Sequence, residues 1–81
     1  MGKREHDGRM MIHSKITGKL YDDNQAVHIV NVLQIYKFLC NGATLLDLFP
    51  SHGADGEERL CFVISKEEFD LLQPLWIKHK L

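Results

Sequence analysis

The spacing of apolar positions changes repeatedly along the chain, and each change marks a boundary between elements. Met10 to Ile16 alternates partially, with Met10, Ile12 and Ser14 on one side and Met11, His13 and Lys15 on the other. Neither side is cleanly apolar, which suits an edge strand. Thr17-Gly18-Lys19 supplies a turn, and Tyr21 to Gln25 (YDDNQ) reads as a loop. Ala26 to Val30 sets Val27 and Ile29 against His28 and Val30, the period of a short strand.

Helical spacing follows. Asn31 with Gln34 three residues on has the form of a capping box. Val32, Leu33, Tyr36, Leu39 and Cys40 then share one helical face, with Gln34, Lys37 and Asn41 opposite. Gly42 stands where a left-handed residue ends a helix. A competing start near Asp23 would run the helix straight through the preceding segment; the cap at Asn31 favours the shorter form.

Thr44 to Phe49 (TLLDLF) is apolar and closed by Pro50, so a strand is expected there, followed by a loop over residues 50–58. Arg59 to Ile64 (RLCFVI) is the clearest strand in the chain, and the two should pair as an antiparallel hairpin. Ser65 with Glu68 forms a second capping box. Phe69, Leu72, Leu75, Trp76 and Ile77 follow at helical spacing, interrupted by Pro74, which predicts a kink or a fresh start. Lys78, His79 and Lys80 suit the negative end of that helix.

The order strand, helix, hairpin, helix defines an α+β class: a short, mostly antiparallel sheet with two helices packed on one face. Trp76, Phe62, Tyr36 and Phe69 are the expected core anchors. The other sheet face and an edge strand would then stay open.

Composition adds bounds. Eighty-one residues allow one domain, read here as residues 10–81 behind a disordered basic arm over residues 1–9. An apolar fraction of 44% is enough to build a core. No apolar run approaches the roughly 18 residues that suggest a membrane span. The segment MGKREHDGRMM has no apolar centre of a secretory signal, so a cytoplasmic protein is expected. In that compartment Cys40 and Cys61, both in apolar runs, are expected to be buried free thiols rather than a disulfide.

Net charge is −1, unevenly spread. Residues 1–20 set Lys3, Arg4, Arg9, Lys15 and Lys19 against Glu5 and Asp7, a net +3, and the rest of the chain is acidic. Those five cations are the candidate nucleic-acid contacts.

The frame N..Q.YK.L.NGA.L.D, then R.CFV.SK, then L...W....L resembles a group of small uncharacterised proteins from phages and integrative elements of Gram-positive bacteria. It is carried by Asn31, Gln34, Tyr36, Gly42, Leu45, Asp47, Phe62, Lys66 and Trp76, over residues 27–81. The resemblance implies a setting, a mobile genetic element inside a bacterial cell, and brings no activity with it.

Chemistry is sparse. His6, His13, His28, His52, His79, Cys40 and Cys61 show none of the short-range pairs that structural zinc uses, so no metal or other cofactor is expected. A Cys40–His52 nucleophile fails on electrostatics, because the end of a helix raises a thiol pKa. Asp22-Asp23 and Glu57-Glu58 read as solvated loop carboxylates. Asp47, inside an apolar strand, is expected to face outward from the open sheet face. Gly53 and Gly56 lack the Lys-Ser/Thr helix start of a phosphate cradle. The sequence therefore points to a non-enzymatic protein-interaction module, self-associating or binding a host or defence protein. A DNA-binding accessory protein using the basic arm is the alternative.

Overall fold

In a computed structural model of the chain, residues 10–81 are described; the arm over residues 1–9, with Lys3, Arg4 and Arg9, lies outside them. The elements are β1 (Met11–His13), β2 (Leu20–Asp22), a 3-10 turn (Asp23–Gln25), β3 (Ala26–Ile29), α1 (Val32–Cys40), β4 (Asp47–His52), β5 (Glu58–Ser65) and α2 (Lys66–Ile77). This is an α+β fold. A three-stranded antiparallel sheet runs in the order β3-β5-β4, and β1 and β2 form a separate antiparallel hairpin.

The loop expected over residues 21–25 changes. Tyr21 and Asp22 belong to β2, paired Ile12 with Tyr21 and Met11 with Asp22, and residues 23–25 form the 3-10 turn. Asp22 then caps the 3-10 turn by accepting from the Asn24 amide at 3.0 Å. A three-residue strand that ends in one acid and is followed by another carries too little period to be seen in sequence; the pairing with β1 creates the strand.

Strand β5 is the centre of the sheet, and its register sorts side chains by face. Directly opposed residues share a face, so Val27 and Ile29 of β3 lie beside Ile64 and Phe62 of β5. Both helices cover this face. Ile29, Ile35, Phe38 and Ile64 form the buried cluster, with Val27, Leu39, Ala43, Phe62, Phe69, Leu72, Trp76 and Leu81 packed around it. The Phe38 ring meets Phe69 at 6.0 Å and Trp76 edge-on at 6.4 Å between centroids.

Helix α1 begins at Asn31, whose side chain accepts from the Gln34 amide at 3.0 Å. It stops at Gly42, at φ +101°, with the Gly42 amide donating to Leu39 and the Ala43 amide to Phe38. That pair of bonds is the Schellman stop. The inward face is not the expected one. Ile35 and Phe38 point into the core, while Val32, Leu33, Tyr36 and Cys40 are exposed. Tyr36 is therefore no core anchor, and Cys40 is not buried. The reason lies across the seam with α2. Gln34 Nε2 donates to Gln73 Oε1 at 2.7 Å and Lys37 Nζ to the Leu81 carbonyl at 3.0 Å. The polar side of α1 thus turns toward α2 instead of toward solvent.

Helix α2 starts at Ser65, which accepts from the Glu68 amide at 3.1 Å. The Glu68 carboxylate reaches away to the Thr44 amide at 2.9 Å, tying the helix to the loop after α1. The helix runs unbroken from Lys66 to Ile77 with Pro74 inside it, so no fresh start occurs. Pro74 is exposed and close to the helix end, where solvent can serve the Asp70 carbonyl that has lost its donor. His79 then takes the left-handed position at φ 58°, its amide donating to Trp76 and that of Lys80 to Leu75.

Strand β4 spans Asp47 to His52, later than the 44–49 expected, and Pro50 lies inside it opposite Leu60. An edge strand tolerates this.

Candidate functional site

The second face of the sheet carries His28, Val63 and Asp47 in one row, and Cys61 beside Phe49 in the next. It is not open. Val63 and Cys61 are buried, and the β1–β2 hairpin reaches across to Asp47. Asp47 is only 7% exposed, contrary to the outward position expected for it.

The contact is a polar lock. Ser14 Oγ donates to Asp47 Oδ1 at 2.7 Å, Tyr21 OH to Oδ2 at 2.7 Å, and the Leu48 amide to Oδ1 at 2.8 Å. Ser14 is itself fixed by the turn, its Oγ accepting from the Ile16 and Thr17 amides at 3.1 and 3.0 Å. Thr17 Oγ1 adds a second tie to the Leu46 carbonyl at 2.7 Å. Gly18, at φ +76°, closes that turn, and its carbonyl meets His13 Nε2 at 3.1 Å. At the margin His28 Nε2 and Asp23 Oδ1 are 2.9 Å apart, and the His28 ring stands edge-on to Phe49.

These surroundings fix the charge states. Burial pushes the Asp47 carboxyl up, but the bonds from Ser14, Tyr21 and Leu48, with the nearby His28, outweigh it and hold the group below its usual range. Burial, then the bond to and charge of Asp47, raises Tyr21. Burial, then the charges of Asp47 and Asp23, raises Cys61. At neutral pH the set is a fixed anion, a phenol that donates and an inert thiol. That is what an anchor requires, and neither a general base near neutrality nor a thiolate nucleophile is among the three.

Beside the lock an open cleft of about 430 Å³ is lined by His13, Lys15, Ile16, Asp47, Leu48, Phe49 and Pro50. Both Asp47 oxygens already serve the fold. Lys15 and Lys19 are exposed on the β1–β2 turn; Lys3, Arg4 and Arg9 lie outside the described residues. Cys40 closes α1, and His52 ends β4 with Glu58 Oε2 3.9 Å from its ring. Among the described residues no three His, Cys, Asp or Glu side chains are grouped to hold a metal ion. No helix among them is long and apolar enough to cross a membrane.

The sheet edge at β4 is closed as well. Proline has no N–H for β5, so its amide position faces outward, and by alternation those of Leu48 and His52 do too. The Leu48 N–H is taken by Asp47, which leaves that edge short of donors for an added strand.

Apolar side chains are also open on α2, at Leu71, Leu75 and Ile77, and on the hairpin, at Ile16 and Leu20, but the longest apolar row on one element is the outer face of α1. Val32, Leu33 and Tyr36 are 69%, 57% and 63% exposed, with Val30 before them and Cys40 after. Val32, Tyr36 and Cys40 fall at i, i+4 and i+8, one continuous ridge without a charge. Their spacing alone assigns these residues to the core side, because a helix with two apolar faces does not say which is inside.

No family model matches this chain, and no curated protein or solved structure matches it either. The fold and these surfaces define a small α+β module.

Proposed function

We propose that the protein works by binding a protein, a host protein or its own copy, through the outer face of α1. The observation that carries this reading is the exposed ridge of Val32, Leu33 and Tyr36 on a helix that is apolar nearly all round. Helices of that kind are buried in their working state. The hairpin covers the second sheet face, and Pro50 with Asp47 closes the β4 edge, so strand addition there has less to support it. By the resemblance of its frame, the setting of this module is a mobile genetic element, where it would modulate or inhibit a host or defence protein.

Affinity capture from bacterial lysate with the tagged chain and with Tyr36→Glu tests this, each with and without nuclease. A protein retained by the wild type after nuclease and lost by Tyr36→Glu is the expected result. Partners that vanish with nuclease and ignore Tyr36 would overturn the reading in favour of DNA binding by the basic arm.

A further inference from the structure

We infer that the occupant of the α1 ridge is a second copy of this chain, packed α1 against α1 about a two-fold axis at Tyr36. The inference rests on the interaction reading and names its partner. Three features point to it.

The first is area. Val32, Leu33 and Tyr36 leave roughly 100 Å² apiece open, and with Val30 and Cys40 the ridge reaches on the order of 400 Å² per protomer. A stable interface buries about 800 Å² per partner, roughly six-tenths of it apolar. The ridge therefore supplies most of the apolar centre of one small dimer. The second feature is shape. Val32, Tyr36 and Cys40 form an i±4 row, and rows of this type interdigitate with their own copies in the commonest class of helix packing. About a two-fold axis the contacts are reciprocal: Tyr36 meets Tyr36 of the other copy, and Val32 meets Cys40 at both ends. The third is charge. The ridge carries none, so two copies meet without repulsion, and nothing on it selects a charged partner.

The test uses the full chain. Sedimentation equilibrium from about 1 μM to about 1 mM should show the mass rising from one chain to two, half-converted on the order of 10–100 μM for so small an interface. Tyr36→Glu should weaken association at least tenfold while keeping the wild-type melting temperature, because Tyr36 lies outside the core. A second variant gives a positive signal. Val32→Cys places a thiol opposite Cys40 of the other copy, and mild oxidation should produce a covalent dimer. The wild type should give none, since its two Cys40 side chains would sit about 12 Å apart along the helices. A chain that stays monomeric at the top of the range overturns the inference. So does a dimer that survives Tyr36→Glu, or a Val32→Cys chain that does not cross-link. If the chain is monomeric yet Tyr36→Glu still loses a captured protein, the dimer falls and the interaction reading stands. If neither dimer nor capture is found, both fall.

Discussion

Replacing Asp47 by alanine should be among the most damaging single changes in the molecule, although Asp47 belongs to no apolar cluster. The substitution removes the acceptor of two buried side-chain donors, Ser14 Oγ and Tyr21 OH, in residues that are 2% and 5% exposed. It also removes the cap on the Leu48 amide. A hydrogen bond to a charged group contributes about 1.5–3 kcal/mol, and a stranded buried donor adds a desolvation cost. Because the turn still holds Ser14, the total is about 3–5 kcal/mol rather than the full sum. A domain of this size has only about 5–10 kcal/mol to lose, and the melting temperature should fall by roughly 15–30 °C. Urea unfolding followed by Trp76 fluorescence measures the first, and thermal unfolding followed by circular dichroism the second. The lock also predicts coupling. Tyr21→Phe in the Asp47→Ala background should cost about 1–2 kcal/mol less than Tyr21→Phe alone. The sign of the pH dependence follows from the lowered carboxyl. Its contribution is fully present above the ordinary carboxylate pKa of about 4 and is lost as acid protonates Asp47 in the folded chain. The alanine variant should lack that part of the acid transition. An Asp47→Ala cost below about 1 kcal/mol, or a cycle additive within about 0.5 kcal/mol, would refute the lock.

The other expectations are simpler to check. Phe38→Ala removes a fully buried ring from between Phe69 and Trp76; it should cost about 3–5 kcal/mol and shift Trp76 emission. A soluble maleimide should modify Cys40 in the native protein and leave Cys61 untouched until the chain is denatured, since Cys61 is buried and its thiol raised. Equal labelling of both would contradict the covered second face.

Local signals in this sequence were legible and tertiary ones were not. The Asn31 and Ser65 caps, the stop at Gly42 and strand β5 are each written in residues a few positions apart, and each stands where the sequence puts it. Strand β2 exists only because β1 lies beside it, and Pro50 remains in β4 only because β4 is an edge. Neither fact is local. Asp47 was recognisable as odd, an acid among Leu45, Leu46, Leu48 and Phe49. Its partners, however, stand 33 and 26 residues away, in a segment with little period of its own. Burial of this carboxylate is tolerable only because those two hydroxyls reach it.

The two faces of the sheet are held by different physics, and that difference bears on which surfaces are free to bind. On the helix side, packing is apolar and tolerant; rings and aliphatic chains can shift without stranding a polar atom. On the hairpin side, a carboxylate with three donors fixes one geometry, because any slip leaves buried groups unpaired. A surface already committed to such a lock is poor material for a partner, since a ligand at Asp47 would have to displace Ser14 or Tyr21. The α1 ridge is under no such commitment. Ile35 and Phe38 hold the helix from within, Gln34 and Lys37 hold it to α2, and Val32, Leu33 and Tyr36 are left with no duty to the fold. Apolar side chains in that position cost solubility and return nothing to the isolated domain, and the proposed interface is what would cover them.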